Sequence, residues 1–305
     1  MVKKIIYITI GLAIFICCIF IIYRSYNIDS SDNLDVPYDE VNKGVMDIEK
    51  EAVTNITENI SSPVEIAALI NSLGAPFSRG YLAPTEYSST YSTNYAKSFA
   101  LGVFSADLGY LNMYNKTGTV LDYLSTIKRL ATDINVGQFF DFETLTRLAS
   151  NSTNLDSLKY ISVHSFNLMD KSLRERKMGK LSALIIAGAW LEGIYITVEV
   201  TKDIPDQKLI EKIGEQKIIL GDLMLLLTSH AKDPIFKNYV NEFNLIKGKF
   251  DGIEIIIEQG DPVQVEVDGV ITFKGGDKSF VHISTEQLKL ITKTVEEVRN
   301  RLIRM

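Results

Sequence analysis

Beyond residue 18 this 305-residue chain has no cysteine, and its two thiols, Cys17 and Cys18, sit side by side in an apolar N-terminal run. That absence excludes a disulfide framework, a cysteine-ligated zinc site and a thiol nucleophile from the rest of the chain, which must be stable through its core alone. Histidine is nearly as scarce. His164, His230 and His282 are scattered, with no His-Glu-x-x-His or Glu-x-x-His spacing, so neither a zinc hydrolase nor a di-iron bundle is expected, and no metal or cofactor is implied. Nothing near His164 resembles a nucleophile elbow, and Gly275-Gly276 does not lead into a helix with the lysine of a phosphate loop. A surplus of positive charge is missing too. The chain has 32 Lys and Arg against 38 Asp and Glu, and three of the basic residues fall in the first 24 positions, which leaves 29 against 38. An acidic remainder of that kind argues against nucleic acid as a partner and gives the body little reason to lie on an anionic membrane.

Ile5 to Tyr23 runs 19 residues without a charge, between Lys3-Lys4 and Arg24. As a helix it would cover roughly 28 Å, close to the hydrocarbon thickness of a bilayer. A cleaved signal peptide would end in small residues, and no such site follows. A lipoprotein would place a small residue before the modified cysteine, whereas Cys17 follows Phe15-Ile16 and the apolar run continues to Ile22. A signal anchor over residues 1–24 fits best, with the N-terminus in the cytoplasm and the body in the periplasm. Residues 25–43, carrying Asp29, Asp32, Asp35, Asp39 and Glu40, read as a polar spacer. Asn55-Ile-Thr57 and Asn59-Ile-Ser61 match a glycosylation tripeptide that is common by accident and carries no weight.

From 44 to 305 the pattern is helical. Ser62-Pro63-Val64-Glu65 is a cap, a first-turn proline and a capping-box partner in series, and Gly74 with Pro76 ends that segment. A loop rich in Tyr, Ser and Thr runs from Phe77 to Asn94. Helices are predicted over about 95–115, over 119–134 with Val120, Leu121, Leu124, Ile127, Leu130 and Ile134 on one face, and after a cap at Asp141. A helical hairpin over 155–200 is predicted to turn near Gly179; Pro205 opens a helix to His230, and Asp233-Pro234 one to about Gly248. Between about 253 and 283 four short β-type runs appear, with Asp268-Gly269 as a hairpin turn, and Ser284 with Gln287 starts the last helix. The expected fold is all-α, a multi-helix bundle with a small antiparallel β-hairpin insertion before the C-terminal helix.

Ser62-Pro63-Val64-Glu65-Ile66, Gly74-Ala75-Pro76, Leu82, Pro84, the run Ala100 to Tyr110 and the run Gly188 to Gly193 together resemble an uncharacterised family of cell-envelope proteins of Bacteroidetes-type bacteria, many of them lipoproteins. The resemblance implies an envelope location and an all-helical body, and lends no activity. The chain departs from the lipoprotein pattern at Cys17 and Cys18.

Two carboxylates stand out. Asp107 and Glu192 are each the only charge in a stretch apolar all round, which places both inside protein, where a carboxyl needs a partner or takes up a proton. Ala100, Gly102, Ala106 and Gly109 on one helix, and Ala183, Ala187, Gly188 and Gly193 on the other, allow close backbone approach, so the two acids are expected in a shared polar pocket with one of them protonated. The plainer account is that each fixes helix register. Trp190, Tyr195 and Tyr110 are the candidate binding residues beside them. The tyrosines at 81, 87, 91 and 95 form either an adaptable binding surface or a cover for the bundle end with hydroxyls in solvent. Two functions follow, besides a structural protein in which every such feature serves packing. One is a membrane-anchored extracytoplasmic binding or scaffold protein with a protein, peptide or cell-wall partner. The other is an envelope enzyme using Asp107 and Glu192 as an acid/base pair.

Overall fold

The structure, a computed structural model, describes residues 52, 69–114, 116–150, 155–258, 263–267, 270–274 and 278–305. The anchor over 1–24, the spacer over 25–43, the Asn55 and Asn59 tripeptides, the Ser62-Pro63 helix start, the Asp268-Gly269 turn and Gly275-Gly276 lie outside the described residues.

The described chain is an all-α bundle with a β insertion before its last helix. Its elements are α1 (Asn94–Met113), α2 (Thr117–Asp133), α3 (Phe142–Ser150), α4 (Leu155–Glu175), α5 (Gly179–Asp203), α6 (Gln207–Thr228), α7 (Pro234–Phe250), strands β1 (Glu254–Glu258), β2 (Val263–Val267), β3 (Val270–Lys274) and β4 (Lys278–His282), and α8 (Thr285–Leu302). Before α1 comes the end of a further helical turn. Gly74 closes it with φ at +73°, and the Ala75 N–H donates back to the Ile70 carbonyl at 3.3 Å, a glycine-terminated helix end as the sequence predicts.

Small residues decide the centre. An added methyl on Gly102 would fall on the Ile185 carbonyl and lie 2.7 Å from the Ala189 nitrogen, while one on Gly188 would fall on the Phe99 carbonyl. The backbones of α1 and α5 therefore touch. Residues 99–103 meet 185–189, and Asp107 further along meets Glu192, so the two helices run parallel. Around this pair α2 packs on α1; α4, α6 and α8 pack on α5; and α7 bridges α6 and α8. Every residue from Ala106 to Asn112 and from Trp190 to Val198 is buried. Among the described residues α5 alone is long and apolar enough to cross a membrane, yet 94% of its most apolar window is buried, as in the core helix of a globular body.

Local signals account for most helix ends. Asp233 accepts from Ile235 N and Phe236 N with Pro234 in the first turn, Asp141 accepts from Thr144 N at 3.0 Å, and Ser284 and Gln287 form the expected capping box. Three expectations need correction. The α4–α5 turn falls near Gly179 as expected, with Lys177 at φ +58° making it and Gly179 the first residue of α5, so only the residue that turns the chain is corrected. Asp206 caps α6, accepting from Lys208 N, and Pro205 lies outside that cap. Leu121 is 45% exposed, because it sits one position round from Val120 and turns out of the stripe that buries Val120, Leu124, Ile127 and Leu130.

The insertion is a ribbon of two antiparallel pairs. β2 pairs with β3, with Val267 opposite Val270, and β1 pairs with β4, with Ile256 opposite Phe280. Val281 and Ile283 press against α6 at Gly214, while Ile256 and Phe280 face outward.

Candidate functional site

Asp107 on α1 and Glu192 on α5 meet inside the bundle, both with no exposed surface. Sequence reasoning did not supply the third member. Arg299 of α8, 4% exposed, donates from Nε to Glu192 Oε2 at 2.9 Å and from Nη2 to Glu192 Oε1 at 2.5 Å. This bidentate geometry is the strong form of an arginine–carboxylate contact. The Tyr195 ring lies over the guanidinium, 4.2 Å from Cζ to the ring centroid, and Nη2 also reaches the Tyr81 carbonyl at 3.4 Å.

Asp107 is held differently. Its Oδ2 accepts the Ala83 N–H at 3.0 Å, whereas its buried Oδ1 has no hydrogen-bond partner. Burial first, and the charge of Glu192 second, hold the Asp107 carboxyl well above the usual range, with Arg299 opposing. Relative to a free carboxyl, the shift favours the protonated form of Asp107, which limits the charge held in the core. Burial disfavours the charge on Arg299, but its paired Glu192 outweighs that and raises its pKa.

The cluster holds down the segment before α1. Ala83 gives its N–H to Asp107, and its carbonyl accepts the Tyr123 hydroxyl at 2.6 Å. Tyr91 donates to the Ile303 carbonyl at 2.8 Å, Tyr81 to Asp203 Oδ2 at 2.8 Å and Tyr95 to Asp233 Oδ2 at 2.7 Å. These hydroxyls are used inside the protein. Neither the adaptable binding surface nor the solvent-facing cover describes them, because each finds an acceptor on a different helix or helix end.

Of the candidate residues, the structure brings Asp107, Glu192 and Tyr195 together and separates the other two. Trp190 lies on the far side of α5, two positions from Glu192. Its Nε1–H donates to Gln216 Oε1 at 2.9 Å, and its ring faces Phe243 at 6.0 Å. Tyr110 belongs to an aromatic cluster with Phe77, Tyr81 and Tyr114, and its hydroxyl accepts the Ser78 N–H at 3.1 Å. Burial pushes the Tyr195 phenol up to about 12, so it stays protonated at neutral pH. Arg299 had one legible signal. It stands four residues after Val295 and three before Leu302, a charge within the buried stripe of α8.

Elsewhere, a surface groove of about 300 Å³ runs between α5 and α8, lined by residues including Val198, Thr201, Leu288 and Thr292 and by none of the buried cluster. Among the described residues no three His, Cys, Asp or Glu side chains group as metal ligands would. No family model, curated protein or solved structure matches this chain.

Proposed function

We propose that this chain is a membrane-anchored binding or scaffold protein of the bacterial cell envelope, with its helical body in the periplasm and a protein, peptide or cell-wall component as its partner. One observation carries the choice of scaffold over enzyme. Asp107 and Glu192 have no exposed surface, and their hydrogen bonds go to Ala83 and Arg299. A general acid must reach the proton it gives or takes. These two instead close a helix junction, so the acid/base alternative lacks an approach for substrate. The anchor rests on the uncharged run Ile5–Tyr23 behind Lys3-Lys4, and the envelope location on that run and the resemblance carried by Ala100–Tyr110 and Gly188–Gly193.

The test is fractionation of cells making the full chain, followed by alkaline extraction of the membranes, protease treatment of spheroplasts and N-terminal sequencing. The expected result is a chain that keeps its first residues, resists alkaline extraction and loses its body to external protease. A mature N-terminus beyond Arg24, or a soluble cytosolic chain, overturns the anchor. Palmitate labelling at Cys17 or Cys18 would replace it with a lipid attachment.

A further inference from the structure

The acid excess of the sequence is spread unevenly along it. From residue 69 onward the chain has 27 Lys and Arg against 28 Asp and Glu, and the surplus of acid lies between Asp29 and Glu65. A stretch of nearly balanced charge can still be polarised, and this one is.

Three contacts gather the α4–α5 turn, the α6–α7 turn, the end of α2 and the C-terminus at one end of the bundle. Lys180 Nζ meets Asp233 Oδ2 at 2.8 Å, Arg176 Nη2 meets the Asn135 carbonyl at 3.4 Å, and Asn238 Nδ2 meets Met305 Sδ at 3.5 Å. Most acids there are already matched: Asp133 by Lys97 at 2.7 Å, Asp170 by Arg174 at 3.0 Å, Asp233 by Lys180, and Glu242 by Arg301 at 2.7 Å. On the α4–α5 turn, the α6–α7 turn and the C-terminal residues that leaves six exposed cations, Lys171, Arg176, Lys177, Lys232, Lys237 and Arg304, and one exposed acidic side chain, Glu175, with the exposed acids Glu86, Asp141 and Glu143 on the neighbouring segments. Large apolar side chains share that end. Ile235, in the first turn of α7, is 52% exposed, and Met305 is 48% exposed.

We infer that this end of the bundle is a docking surface for an anionic lipid bilayer. Each Lys or Arg brought to such a surface adds its own attraction, and contributions from several segments sum when they share one face. Apolar side chains among the cations enter the headgroup boundary and add to the binding. That mixture also separates lipid from nucleic acid, whose phosphate backbone rewards the cations and gives Ile235 and Met305 nothing. The inference reverses the sequence expectation that the body has little reason to lie on an anionic membrane. It stands on the charges of the body and does not require the N-terminal anchor.

The test uses the full chain with lipid nanodiscs of phosphatidylcholine alone or of phosphatidylcholine with phosphatidylglycerol, read by amide hydrogen exchange. The expected result is slowed exchange over 171–180 and 232–237 in the anionic discs only. That protection should be lost at high salt and in the triple variant Lys171→Glu, Lys177→Glu, Lys237→Glu, whose thermal melt should match the parent because all three positions are exposed. Equal exchange in both discs, with the chain retained by both, overturns the inference and leaves the anchor standing. Retention by the anionic discs alone supports the inference and removes the anchor. Retention by neither removes both. Protection of the same segments by duplex DNA or by polyglutamate, equal to that given by anionic discs, also overturns the lipid assignment.

Discussion

Two carboxyl-centred junctions tie this bundle together, one in the middle and one at an end, and they behave in opposite ways. Asp107 sits between α1 and α5 with no exposed surface, and Asp233 sits at the start of α7 beside Lys180 and Tyr95. Burial and the neighbouring Glu192 push the Asp107 carboxyl up. Hydrogen bonds from Lys180, then Tyr95 and the first α7 amides, hold the Asp233 carboxyl well below its usual range. The same side chain thus has its carboxyl pushed up in one junction and held down in the other. Solvent access and the sign of the nearest charge decide which.

The largest break should come from Glu192→Gln. It leaves the Arg299 guanidinium buried without its bidentate partner, and roughly 3–5 kcal/mol of stability should be lost in urea unfolding. Gly102→Ala tests the helix contact that brings the acids together. Its methyl would meet α5 backbone, which cannot give way as a side chain can, and about 1–3 kcal/mol should be lost despite the better helix propensity of alanine. Asp233→Ala should lower the melting temperature by less than Glu192→Gln does, and the difference from the parent should shrink with added salt because Lys180 is partly exposed. Insensitivity to salt would show that the helix cap, and not the ion pair, is the stronger part.

Asp107→Asn should do least near neutral pH. The amide oxygen still accepts from Ala83 and the amide NH2 donates to Glu192, so the change should stay under about 1 kcal/mol. Its effect should appear in the pH profile. Asp107 has a folded value above its ordinary 3.8, so its stabilising share is complete below that and is lost as pH rises through the folded value. Asp233 works the other way, with stability present above 3.8 and lost as pH falls towards its depressed value. The difference in unfolding free energy between the parent and Asp107→Asn should therefore change as pH rises from 3.8 through the raised folded value, while the acid decline stays in both. A difference that does not change with pH would mean that the Asp107 carboxyl is not raised.

The architecture was legible wherever one signal sufficed. Caps at Asp141, Asp233 and Ser284, the glycine stop at Gly74 and the four short β runs all read locally and are found in place. The meeting of Asp107 with Glu192 was also legible, because isolated acids in apolar, glycine-bearing helices leave few other arrangements. Arg299 was legible only as a charge within a buried stripe, and its partner was not, since Glu192 lies 107 positions away. Trp190 and Tyr110 were placed at the site by nearness in sequence, but two positions along a helix turn Trp190 to another side, and Tyr110 is engaged by Phe77, Tyr114 and Ser78. Lys177 in a left-handed turn is a tertiary outcome, because nothing about lysine selects that conformation. The polar distribution of charge could be counted along the chain only after knowing which turns share an end.

The β ribbon leaves the bundle and returns at a single point. Gln287 of α8 donates from Nε2 to the Gly252 carbonyl at 2.8 Å, so the last residues before β1 and the first turn after β4 are joined directly. Helix α8 therefore takes its place, and delivers Arg299 to the interior, without depending on how far the ribbon extends. That excursion is the part of the chain where length can vary at least cost to the rest, through trimming, lengthening or an inserted sequence, and a graft there should leave the interior as it is.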